Sequence, residues 1–147
     1  MKEKEKTMNI DGVNNGIVLD HISAGKSMKI YELLGLDKID SCVAVIKNVS
    51  SEKYGKKDII KIDELIELDY DILGYVDSNI TVNRVKNGKL EKKEHMALPE
   101  KLKNVVKCIN PRCITSVEQG LDHEFRLVDK ENKIYRCVFC DAEHRVK

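Results

Sequence analysis

The chain has no Trp, two Phe, five Tyr and only two Pro in 147 residues, so its interior must be built mostly from Ile, Val and Leu. It has no long apolar stretch: the longest run, Cys42-Val-Ala-Val-Ile46, falls far short of the roughly 18 to 20 residues of a membrane-spanning helix. It has no excess of one charge either. Against 26 Lys and Arg stand 25 Asp and Glu, and a net charge of +1 argues against a dedicated binder of nucleic acid or of acidic membrane surfaces. Residues 1–8 alternate charges without the apolar core of a secretory signal. They read as a solvated tail, with Met8 a second candidate start, and the expected location is the cytoplasm.

Charge is abundant but uneven. Residues 1–100 carry 16 basic and 18 acidic side chains, whereas residues 101–147 carry 10 and 7. Four of the five cysteines also fall in the last 40 residues. These shifts, with Pro99 between them, predict two domains, residues 1–99 and 100–147. The segment 100–107 is either their boundary or a short connecting helix.

In the first domain, residues 16–23 and 42–49 are rich in β-branched residues and read as strands. Between them, Met28, Ile30, Tyr31, Leu33 and Leu34 recur at helical spacing up to Gly35. Residues 50–57 read as a turn and 58–63 as a short strand; 65–76 carries a second, weaker helical pattern. Ile80 to Val85 is a strand that Asn87-Gly88 folds back into a partner running to about His95. The order β, α, β, β, α, β, β predicts an α+β fold, a ferredoxin-like open sandwich with both helices on one face of an antiparallel sheet. A small all-β metal-binding domain follows.

That second domain is defined by Cys108-x4-Cys113 and Cys137-x2-Cys140, 23 residues apart. Two loops bearing paired thiolates close a tetrahedral sulfur site of the kind Zn²⁺ prefers, and four protein ligands leave no open position for catalysis. A reducing compartment disfavours the alternative of two disulfides. Structural zinc also suits a module this small, contributing on the order of 10 kcal/mol to folding. Lys107, Arg112 and Arg136, each beside a ligand cysteine, are placed to offset its charge. His123 and His144 read as ordinary surface histidines, and Cys42 as a small buried hydrophobe.

Ala24-Gly25-Lys26-Ser27 before a helix resembles the end of a phosphate-binding loop, but Asp20 stands where that motif needs glycine. A stronger polyphosphate set is His21, Lys57, Lys61 and Lys93, which converge at one end of the sheet if its first and last strands are neighbours. Each lysine alone reads as a solvated surface charge. No spacing suggests paired catalytic carboxylates or an activated nucleophile.

Taken in order, Gly16-Ile-Val-Leu-Asp-His-Ile22, Gly55-Lys-Lys-Asp-Ile-Ile-Lys-Ile62, Thr81-Val-Asn-Arg84, Leu98-Pro-Glu100 and the cysteine set resemble the regulatory chain of aspartate carbamoyltransferase. The resemblance implies a non-catalytic chain with a nucleotide-binding allosteric domain and a zinc domain that docks on the catalytic chain. It implies regulatory homodimers, and CTP, ATP and in some members UTP as effectors. Carried over by position, the base and ribose would meet Ile10, Gly12, Val13, Asp20, Lys61, Asn83 and Val85. His21 and Lys93 would face the phosphates, with Lys57 nearby, and Asn110, Arg112 and Asp141 would meet the catalytic chain. Gly12, Asn14-Asn15 and Arg112 depart from the residues frequent in that family. The rival readings are a nucleic-acid-binding zinc ribbon, short of stacking aromatics here, and a nucleotide hydrolase.

Overall fold

The computed structural model describes residues 13–53 and 55–146. The readings that fall on the charged tail, Met8, Ile10 and Gly12 lie outside them. The chain divides into two compact units, the first ending at Met96 and the second starting at Ala97.

The first unit runs β1 (Gly16–Ser23), α1 (Ser27–Leu33), β2 (Val43–Ser51), β3 (Gly55–Ile62), α2 (Tyr70–Val76), β4 (Thr81–Lys86) and β5 (Lys89–His95). All pairings are antiparallel, in the order β2-β3-β1-β4-β5. This is the expected α+β sandwich. Alternation along the central strands splits the sheet into two faces. Ile17, Leu19, Ile60 and Ile62, all fully buried, share one. The helices cover it: Arg84, opposite Ile17, donates to the Tyr70 hydroxyl of α2, and α2 touches α1. On the other face Val13, Val18, Ile59 and Val85 form a smaller apolar cluster, with Ile46 and Val49 against it.

Four local expectations change. The helix expected over 65–76 is only Tyr70–Val76, because Asp69 caps it, accepting from the N–H groups of Asp71 and Ile72. The turn expected over 50–57 shrinks, since β2 reaches Ser51 and β3 starts at Gly55. Cys42 is exposed rather than buried: it precedes β2, an edge strand whose side chains are covered only in part. The first and last strands are not neighbours, as β4 lies between β1 and β5.

The second unit is a four-stranded antiparallel sheet in chain order, β6 (Lys101–Lys103), β7 (Glu124–Asp129), β8 (Ile134–Cys137) and β9 (Glu143–Arg145), with one helical turn α3 (Ile114–Val117). The start of this unit forms β6, not a connecting helix. Its core is small. Leu102, Phe125 and Tyr135 are buried, and the Tyr135 hydroxyl donates to the Pro99 carbonyl.

Candidate functional site

The four cysteines converge from two loops. Cys108 and Cys113 sit in the segment before α3; Cys137 ends β8, and Cys140 lies in the turn to β9. Their sulfurs all lie within 4.8 Å of one another. Cys108 and Cys140 are 3.5 Å apart, and Cys113 and Cys137 3.7 Å. A disulfide needs about 2.05 Å. A tetrahedron with Zn–S arms of about 2.3 Å has edges of about 3.8 Å, so the cluster fits a single Zn²⁺ and not a pair of disulfides.

Both loops are shaped to point N–H groups at sulfur. Asn110 N–H near Cys108, the Asn110 side chain and Ala142 N–H near Cys140, and Thr115 N–H near Cys113 each favour the thiolate. The Thr115 hydroxyl, 3.1 Å from the Cys113 sulfur, is the main reason that thiol titrates below the ordinary range, while burial pushes Cys108 up. Filling the site therefore displaces protons. His123, read from sequence as an ordinary surface residue, accepts the Cys108 N–H at Nδ1, 3.2 Å away. Arg136 bonds the Asp141 carbonyl and lies near the Asp141 and Glu143 carboxylates. Asp141 also pairs with Arg126 at 2.8 Å. Arg112 is exposed, with its N–H on Asn110 Oδ1.

On the first unit, the sheet gathers most of the expected nucleotide residues onto the face away from the helices. Lys61, Val18, Asn83 and Lys93 stand opposite one another on β3, β1, β4 and β5, forming one row across four strands. Val85, two residues from Asn83, shares its face. β4, a strand expected from sequence but not between the first and last strands, supplies Asn83, whose amide donates to the Val18 carbonyl at 3.3 Å. Beside this row β1 bulges between Leu19 and Ile22, placing His21 at φ 59°. Asp20 holds the bulge, accepting the His21 N–H at 2.6 Å and the Lys57 ammonium at 2.9 Å. Burial lowers the His21 pKa from 6.5; Asp20 opposes this, and Lys57, Lys93 and Lys53 reinforce it. His21 Nδ1 lies 3.0 Å from the Thr81 hydroxyl.

The loop that resembled a phosphate-binding motif has another partner. Gly25 N–H, Ser27 N–H and the Ser27 hydroxyl all donate to Asp58 Oδ2, at 3.1, 3.3 and 2.6 Å. Asp58 Oδ1 takes the N–H of Asn48, which sits at φ 61° in a second bulge, on β2. Asp58 was not singled out from sequence. Its only signal was a carboxylate on the apolar face shared with Ile60 and Ile62.

The family description "Aspartate carbamoyltransferase regulatory chain, allosteric domain" matches residues 8–97, and the metal binding domain of the same chain matches residues 100–147. The chain belongs to the aspartate carbamoyltransferase regulatory chains. Among similar curated proteins of that name, the one from Clostridium botulinum strain Hall is 49% identical over 134 residues, covering 91% of this chain and 92% of its own. That from Clostridium acetobutylicum is 46% identical over 94% of each chain. That from Bifidobacterium longum is 42% identical over 95% of this chain and all of its own. The regulatory chain is the non-catalytic subunit of its enzyme, with an allosteric and a metal-binding domain. Among the described residues no helix is long and apolar enough to cross a membrane.

Proposed function

We propose that this regulatory chain binds nucleoside triphosphates of the CTP, ATP and UTP type through its domain of residues 1–99, on the helix-free face of the five-stranded sheet, and docks on catalytic chains through residues 100–147. The observation that carries the nucleotide half is the cross-sheet row Lys61–Val18–Asn83–Lys93, with the fields of Lys57, Lys93 and Lys53 meeting at His21. Apolar and amide positions at the centre suit a base and ribose; cations at the rim suit phosphates. Of the expected set, Val13, Asp20, His21, Lys57, Lys61, Asn83, Val85 and Lys93 fall among the described residues.

Docking is supported by apolar side chains beside the ligand cysteines. Ile109 is 79% exposed, Val138 44% and Phe139 52%. A zinc centre that fixes both loops would fix this surface, along with Asn110, Arg112 and Asp141. The homodimer is supported by the contrast between the two sheet edges. β2 offers the half-buried Val43, Val45 and Ile46, whereas β5 offers Lys89, Glu91, Lys92 and Lys93. Regulation follows as linkage: a nucleotide that binds two quaternary states unequally shifts them, by typically about 1–3 kcal/mol. The proposed site of action is the cytoplasm.

Calorimetry with CTP and ATP on the full chain tests the site. Lys61→Ala should weaken both by about 1.5–3 kcal/mol, the worth of a hydrogen bond to a charged group, with zinc content unchanged. Equal affinity in wild type and variant overturns the assignment. Mixing the chain with a catalytic trimer tests docking: the complex should form, respond to CTP or ATP, and be lost on substitution of Cys108.

A further inference from the structure

A two-residue hairpin tip normally leaves the N–H groups of its central residues to water. In this chain both are taken by the segment preceding β1. Gly88 N–H donates to the Asn14 carbonyl at 2.9 Å, and Asn87 N–H to Asn15 Oδ1 at 3.1 Å. The tip residues are both left-handed, at φ 54° and 76°, so their donors point in fixed directions. The segment they hold is pinned on both flanks. Val13 is buried with Val18 and Val85, and Gly16 passes so close to β3 that a Cβ would meet the Ile62 carbonyl oxygen at 2.1 Å. Residues 13–16 are thus a strap fastened to the hairpin at one side and to β3 at the other. The hairpin carries Asn83, Val85 and Lys93; the strap carries Val13.

We infer that Asn15 is a specificity-determining residue of the nucleotide face, a positioning residue that holds Val13 in register with Val85 beside Asn83 and so fixes the apolar edge against which a base lies. The inference rests on the nucleotide reading above. Asn15 itself is exposed and reaches the face only through the hairpin tip it holds. A one-ring base depends on that edge as the strap fixes it. A two-ring base reaches past it and loses less when the strap is loosened.

The test is calorimetry of CTP and ATP on full-length wild type, Asn15→Ala, Asn15→Asp and Lys61→Ala, with amide exchange at Asn87 and Gly88. Asn15→Ala should bind CTP roughly three- to tenfold more weakly, the equivalent of one neutral hydrogen bond, and ATP within about twofold of wild type. Asn15→Asp keeps the acceptor oxygen and should restore both the CTP to ATP ratio and slow exchange at Asn87. An unchanged ratio in Asn15→Ala overturns the inference, whether the two affinities hold or fall together. The underlying reading fails separately, when Lys61→Ala binds as wild type does; wild type binding neither nucleotide removes both.

Discussion

The two units solve the same problem with different materials. In the first, fully buried aliphatic side chains lie on both sides of the sheet and under the helices: Ile17, Leu19, Ile22, Ile30, Leu36, Ile59, Ile60, Ile62, Leu73 and Ile80. In the second, the fully buried large side chains among the described residues are Leu102, Phe125 and Tyr135, and two further buried residues are the ligand cysteines Cys113 and Cys137. A sheet of short strands over so few side chains cannot offset its own conformational entropy. The metal centre supplies the missing cohesion, where the first unit uses area. The difference also separates duties. A unit held by dispersed packing can yield locally around a ligand, while a unit held at one point keeps its surrounding loops rigid or loses them altogether.

Metal removal should expose that difference most strongly. A strong chelator, or Cys113→Ser, should remove a contribution on the order of 10 kcal/mol and unfold residues 97–147. Amide exchange would then show the second unit unprotected and the first unchanged; joint loss of protection would erase the distinction. Next in size is Gly16→Ala, whose Cβ has no room beside the Ile62 carbonyl. It should cost the first unit about 3 kcal/mol, the upper range for overpacking, with zinc content untouched.

Asp58→Asn should cost about 2 kcal/mol. Burial by itself would raise the Asp58 pKa, but hydrogen bonds from the Ser27 hydroxyl and from the N–H groups of Asn48, Gly25 and Ser27 hold it below the ordinary value. Its stabilisation is therefore complete above about pH 4 and lost as pH falls through the lower folded value. Urea midpoints measured against pH should show that acid slope in wild type and not in the variant. The smallest effect belongs to His21. Its lowered pKa means that the unfolded chain binds more protons as pH drops through 6.5, so the first unit loses stability there. His21→Asn should flatten that part of the profile.

Much of this was legible in the sequence where a local rule is strong. Asn87-Gly88 fixed the β4–β5 hairpin because few residues tolerate the left-handed tip, and the cysteine spacings fixed the metal cluster because two short loops must each present two sulfurs. Less legible were features settled by tertiary pairing. Cys42-Val-Ala-Val-Ile46 reads as a core strand, yet an edge strand has the same β-branched composition. The weaker apolar pattern over 65–76 does not show where the helix begins; Asp69 as a cap decides it. From sequence, His21, Lys57, Lys61 and Lys93 converge only if the first and last strands are neighbours, and Asn83 joins them by resemblance alone. Only the strand order, with β4 between β1 and β5, brings Asn83 into line with Lys61 and Lys93.

The Asp58 carboxylate has a consequence beyond stability. The N–H groups of Gly25 and Ser27, the Ser27 hydroxyl and the N–H of Asn48 form an anion hole, and the anion in it is part of the chain. A tethered carboxylate acts at an effective concentration far above that of any free phosphate in solution. The loop is thus a binding site whose ligand is covalently supplied, which closes it to free anions and keeps it apart from the opposite face of the sheet, where the nucleotide site is proposed.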